Sequence, residues 1–178
     1  MSQQSFFRDS PIYKPGEQLL FLREEQIRFM QDMFFFVWCE NHNMIKPILE
    51  KHHLGHAHHR LLKFIKHHPD LTVGELRNLL GITKQSLARV MKDVIRYRYV
   101  QYKQSKTDRR KRELCLTAEG ERLEDELFQL QRKQFVRAFR ETGDQQSVEG
   151  FQRVLHAMLS QEAKYLLENR SSSKPNKG

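Results

Sequence analysis

From Leu19 to about Lys46 apolar residues recur at helical spacing (Leu19, Leu22, Ile27, Met30, Phe34, Val37), and Phe35, Phe36 and Trp38 widen the stripe. This predicts a long helix buried over much of its circumference. Pro47 is expected to kink or end it, because the proline ring clashes with the preceding turn, and Gly55 marks the next break. A second amphipathic helix is predicted from His56 to about His67 through Leu61, Leu62, Phe64 and Ile65, closed by Pro69. Thr72-Val-Gly-Glu75 has the layout of a capping box, in which the threonine hydroxyl takes an orphan amide and the glutamate reaches back. A short helix through Leu76, Leu79 and Leu80 follows. Gly81-Ile-Thr83 then makes a tight turn, and Thr83 can cap a further helix running to about Tyr97. Short helices joined by a glycine-bearing turn form a helix-turn-helix arrangement.

Val100 to Lys103 and Glu113 to Leu116 are strand candidates flanking the charged run Gln104 to Arg112, the pattern of a two-stranded wing. Thr117 can cap another helix, striped by Leu123, Leu127, Leu130 and Phe135 and stopped by Gly143. A last helix is expected from Val148 to Leu167. The fold class is therefore mainly α with a small β-wing: a winged helix-turn-helix lobe at 56–116, and a helical dimerisation base from 19–55 and 117–170. Residues 1–18 read as an N-terminal arm, with Phe6, Phe7 and Ile12 able to anchor it on a partner subunit. The polar tail at 171–178 is expected to be disordered. The apolar stripes of the first and last helices exceed what one small lobe can cover, so a homodimer is expected.

Charge sharpens this picture. Of the net +9, the stretch from Arg77 to Arg112 alone carries twelve basic and two acidic residues, leaving 19 basic against 20 acidic elsewhere. A basic segment so concentrated attracts a polyanion through counterion release, and suits DNA better than a membrane surface. No stretch approaches the roughly 18 apolar residues of a spanning helix, and the N-terminus lacks a secretory layout, so a cytoplasmic protein is expected. Cys39 and Cys115 lie far apart with no Cys-x-x-Cys spacing, which indicates neither a zinc knuckle nor a disulfide framework. The sequence holds no G-x-S-x-G, P-loop or dinucleotide fingerprint and no outstanding pair of carboxylates, so it reads as a protein that is not an enzyme and needs no cofactor.

Between about Met33 and Leu159 the chain resembles the MarR family of bacterial regulators. The diagnostic stretch is Leu71-Thr-Val-Gly-Glu-Leu-Arg-Asn-Leu-Leu-Gly-Ile-Thr-Lys-Gln-Ser-Leu-Ala-Arg-Val90, followed at family spacing by Asp108-Arg-Arg110 and Leu114-Cys-Leu-Thr-Ala-Glu-Gly120. Ala57-His-His-Arg60 and Thr83-Lys-Gln-Ser-Leu-Ala-Arg89 are similar to an alphaproteobacterial, LdtR-like branch of it. The resemblance implies a triangular homodimer, terminal helices interlocked, with one winged lobe per chain binding a palindromic operator, and a small-molecule or redox input felt where the parts meet. Two departures stand out. The doubled Asp-x-Arg wing pattern is reduced to Asp108-Arg-Arg110, and the glycine that commonly ends the recognition helix is Arg98 here. A residue other than glycine is strained at a left-handed cap.

The start of a recognition helix lies nearest the base edges of a major groove, which makes Thr83, Lys84, Gln85, Ser86 and Arg89 the candidates for reading duplex DNA. Gln pairs with adenine, and Arg or Lys with guanine. Lys92, one turn on, reaches phosphate. In the wing, Lys103, Lys106, Arg109, Arg110, Lys111 and Arg112 are candidate backbone contacts; by the resemblance, Arg109 or Arg110 enters the minor groove while Asp108 orients an arginine. Phe35, Trp38, Cys39, His58, Leu61 and Leu62 are grouped as a pocket for a small aromatic or amphipathic effector with an acidic head. Seven of the nine histidines fall between His52 and His68, and His52, His56 and His59 have i, i+4, i+7 spacing, so zinc sensing is one alternative. A non-specific nucleic-acid-packing protein is another. Cys39, in apolar surroundings, reads as a packed thiol, and Cys115 as an inert one.

Overall fold

The computed structural model describes residues 24–68, 70–105 and 108–169. The expected arm at 1–18, the beginning of the first helix at 19–23, Lys106 and the tail at 171–178 lie outside them. The elements are α1 (Glu24–Lys51), α2 (His56–His67), α3 (Val73–Leu80), α4 (Lys84–Arg96), β1 (Val100–Gln104), β2 (Arg112–Leu116), α5 (Ala118–Thr142), α6 (Gln145–Met158) and α7 (Gln161–Asn169). The fold is mainly helical with a small antiparallel sheet, as the residue pattern predicts.

The chain forms two units, one ending at Asn41 and one beginning at His42. In the first, Phe34, Phe35, Phe36, Val37 and Trp38 are each more than half exposed. The burial expected over much of this helix is therefore not met within one chain. Five consecutive residues sweep more than a full helical turn, which is wider than one neighbouring helix can cover. Phe35 stacks on Trp38 with ring centroids 6.4 Å apart, a contact within the helix itself.

The second unit holds the core. Ile45, Leu49, Leu61, Leu62, Leu76, Val94, Leu114 and Leu127 are essentially inaccessible, and Leu87, Met91, Val100 and Leu123 join them. Each such side chain contributes about 1.5–3 kcal/mol by leaving water. Of the two outcomes expected at Pro47, a kink or an end, the end does not occur: α1 runs on to Lys51. Buried Ile45 and Leu49 anchor the helix on both sides of the proline, and their packing outweighs the lost backbone bond. The helix stops at His53, whose φ of 54° is left-handed, while the Leu54 amide donates to the Leu49 carbonyl at 2.8 Å.

Strands β1 and β2 pair from Val100↔Leu116 to Gln104↔Arg112, each one residue longer than the pattern suggested. A third rung escaped the sequence reading. The Leu114 amide donates to the Leu71 carbonyl at 2.7 Å and Thr72 bridges Glu113, so the segment before α3 flanks β2 on its other side. The single last helix expected from Val148 to Leu167 is two. Asp144 starts α6 early by accepting the Ser147 amide at 2.6 Å, and Ser160 restarts the chain as α7 by accepting the Ala163 amide at 3.2 Å. Both are ordinary N-cap chemistry hidden inside an apolar repeat.

Candidate nucleic-acid interface

Local caps fix the two helices of the reading unit. At the start of α3 the Thr72 amide and hydroxyl donate to Glu75 Oε2 at 2.8 and 2.7 Å, and the Glu75 amide returns to Thr72 Oγ1 at 3.3 Å. The bond from the Thr72 amide, and next that from its hydroxyl, holds the Glu75 carboxyl below the usual carboxylate range. Gly81 ends α3 at φ 61°, a left-handed conformation that glycine adopts without a side-chain clash. Two residues later Thr83 accepts the Ser86 amide at 3.2 Å and begins α4.

Leu87, Met91 and Val94 pin one face of α4 into the core. The N-cap Thr83 and, on α4, Lys84, Gln85, Ser86, Arg89 and Lys92 are all exposed. The first turn of α4 carries no acidic residue, so the partial positive charge of the helix N-terminus adds to Lys84 and favours an anion there.

The wing is positioned from a distance. After α4 the chain turns through Arg98 at φ 60°, so the left-handed conformation expected where glycine commonly stands is taken by an arginine. The Thr117 hydroxyl donates to the Arg98 carbonyl at 2.6 Å, the Thr117 amide donates to the Tyr99 carbonyl at 3.0 Å, and the same hydroxyl oxygen accepts the Gly120 amide at 3.1 Å. Gly120 sits so close to this turn that a Cβ there would lie 2.1 Å from the Tyr99 carbonyl oxygen. The Thr117-Ala-Glu-Gly120 run is thus both a helix cap and the latch of the wing root, and only its cap function was visible in the sequence.

Lys103 reaches Asp70 Oδ1 at 2.6 Å and Glu113 Oε2 at 3.6 Å. The bond to Asp70 raises its pKa, and both carboxylates hold its charge at the base of the wing. Expected as a phosphate contact, Lys103 is engaged within the protein. Nothing in the sequence pointed to Asp70, which lies 33 residues away. Asp108 accepts the Arg110 backbone amide at 2.9 Å, so its carboxylate shapes the turn of the wing through the main chain. Ser105, nearly inaccessible, donates its amide to the Lys111 carbonyl at 3.1 Å, and Gln104 caps the Arg109 carbonyl. With the turn so fixed, Arg109, Arg110, Lys111 and Arg112 are all exposed, and among the described residues none of them is in a salt bridge.

Of the residues grouped as an effector pocket, Leu61 and Leu62 are wholly buried in the core, and Phe35 and Trp38 are exposed on α1, with Cys39 half-buried beside them. His58 caps α2, its Nδ1 accepting the Gly55 amide at 2.9 Å. Of the three histidines spaced for a metal, His52 points to Tyr99, while His56 packs against His42 with centroids 4.5 Å apart. His59 is buried, and burial first, then the charge of Lys63, pushes its pKa down to about 4. No group of three His, Cys, Asp or Glu among the described residues is placed to hold a metal ion. Cys115 is half-buried in β2.

A capped helix-turn-helix beside a cationic β-hairpin defines the winged helix-turn-helix class of DNA-binding transcription regulators, which are not enzymes. Comparison with known proteins names the family. The MarR family profile matches residues 54–111. The HTH-type transcriptional regulator PetP of Rhodobacter capsulatus is 42% identical over 144 residues, covering 81% of this chain and 86% of PetP. The chain belongs to the MarR family. Solved structures share the fold. A mutant MarR from E. coli complexed with operator DNA matches with a TM-score of 0.56 at 17% identity, covering 76% of this chain and 96% of that one. A Staphylococcus aureus MarR in complex with salicylate and kanamycin matches with a TM-score of 0.62 at 22% identity, covering 82% and 95%.

Proposed function

We propose that this regulator binds a palindromic operator as a homodimer, in the cytoplasm, and that a small aromatic or amphipathic effector modulates the binding. The observation that carries the reading is the exposed, capped start of α4, with Lys84, Gln85 and Ser86 in its first turn and Arg89 after them, together with four exposed wing cations. The dimer is supported by apolar side chains left open in one chain: Phe34 to Trp38 on α1, and separately Phe151, Val154 and Met158 on α6. The operator reading draws on the E. coli MarR complex with operator DNA, and the effector on the S. aureus MarR complex with salicylate. No helix of the described residues is long and apolar enough to cross a membrane.

The test starts from a randomised duplex pool. The wild-type protein should enrich a two-fold symmetric sequence, and Arg89→Ala should lose about 1–3 kcal/mol on it while binding a scrambled duplex almost as before. Lys111→Gln should weaken both duplexes alike and lower the salt slope by roughly one unit per lost phosphate contact. Enrichment of no sequence, with equal losses on both duplexes for Arg89→Ala, would favour a packing protein instead.

A further inference from the structure

The apolar face of α4 is pinned into the core through Leu87, Met91 and Val94, and two polar ties add directional bonds to that packing. His58 Nδ1 accepts the Gly55 amide, so in the neutral ring the proton sits on Nε2, and Nε2 faces Asp93 Oδ2 on α4 at 3.2 Å. At the end of α1, His52 Nδ1 meets the hydroxyl of Tyr99 at 2.7 Å, the residue whose backbone carbonyl carries the wing root. His53, next to it in the left-handed turn, lies 6.4 Å from the Tyr97 ring. The corner between α1 and α2 therefore holds the reading helix at Asp93 and the wing root at Tyr99.

Asp93 is also out of place on charge grounds. It is one of only two acids in a segment with twelve bases, and a carboxylate there repels the polyanion the segment attracts. The bond to His58 Nε2 gives this carboxylate a task that needs an acceptor. We propose that Asp93 and Tyr99 are positioning residues, held by His58 and His52, which set the angle at which α4 and the wing meet DNA and so determine operator specificity. This rests on the reading of the protein as an operator-binding regulator.

Asparagine and alanine at Asp93 remove the same charge, but only asparagine keeps an oxygen that accepts from His58 Nε2, and neither touches the α2 cap. Wild type, Asp93→Ala, Asp93→Asn and Tyr99→Phe are titrated on the duplex the wild type selects from a random pool and on a scrambled duplex, with thermal melts of each protein. Asp93→Ala should lower the ratio of the two affinities about tenfold, as expected for losing a hydrogen bond to a charged group. Its binding to the scrambled duplex should hold or rise. Asp93→Asn should keep most of the ratio, and Tyr99→Phe should lower it a few-fold. Equal ratios for alanine and asparagine, or an unchanged ratio for alanine, would overturn the positioning role while leaving the regulator reading intact. A wild type without any preferred duplex would overturn both. If Asp93→Ala melts early, Tyr99→Phe, which deletes one hydroxyl, decides the matter by the same ratio.

Discussion

The helix-turn-helix and the wing are neighbours in sequence and serve one surface, yet they are held by opposite means. Thr72 caps with Glu75 and Thr83 with Ser86, each bond spanning three residues. The wing is tied by Thr117 to Arg98, 19 residues away, and by Lys103 to Asp70, 33 residues away. Caps built from local bonds form almost independently of distant segments, although the body of α4 is also held by the core and, at Asp93, by His58. A unit built from distant bonds has its geometry only when the rest of the lobe is folded, and inherits every disturbance of it.

The contrast can be broken by experiment, and the sharpest cut is Gly120→Ala. The new methyl would face the Tyr99 carbonyl, a backbone atom that cannot swing aside, and the loss of stability should reach about 3 kcal/mol or more in urea unfolding. A loss below about 1 kcal/mol would mean the wing root yields to the added methyl. Acid acts on both regions together, through the core beneath them. The folded-state pKa of His59, about 4, lies below the 6.5 of an unhindered imidazole, so the unfolded chain takes up the proton first. Stability should be whole above pH 6.5 and decline as pH falls toward 4, by up to roughly 3 kcal/mol. His59→Leu should flatten that slope; a slope unchanged by the substitution would place the acid sensitivity elsewhere.

A paired substitution comes next in size. Thr117→Ala deletes a cap and a latch and should cost about 2 kcal/mol, whereas Thr83→Ala deletes a cap alone and should cost about 1. Equal costs, measured by denaturant unfolding, would erase the distinction between local and distant support. The smallest effect belongs to Asp70→Asn, because asparagine tolerates the left-handed φ of 73° at this position, Lys103 retains Glu113 and the lost pair is partly solvated. Less than about 1 kcal/mol is expected, falling further at high salt.

The same contrast explains what the sequence disclosed. Thr72, Gly81 and Thr83 announce their roles through neighbours within a few positions, and the exposure of Gln85, Arg89 and Lys92 follows from helical period once the buried Leu87 and Met91 are recognised. Arg98 was identified as the left-handed position because glycine commonly stands there. Partners joined only in three dimensions left no trace in spacing: Asp70 with Lys103, Tyr99 with Gly120, His58 with Asp93. Lys103 was accordingly counted among the DNA contacts although two carboxylates engage it. The helix boundaries failed for a related reason. Pro47 was weighed by its local cost, without the burial of Ile45 and Leu49 around it, and Ser160 was lost in an apolar repeat that continues on both sides of it.

The Tyr99 carbonyl, where the Thr117 amide and the bare α-carbon of Gly120 converge, is the fulcrum of a lever. A strand of five residues extends about 17 Å from it, so a rotation of about 5° at the root displaces the tip by about 1.5 Å. The useful range of a hydrogen bond is narrower than that, about 0.5 Å. Whatever tilts the start of α5 by a few degrees therefore shifts the four wing cations relative to the phosphates they are proposed to meet, while leaving the caps of the reading helix undisturbed.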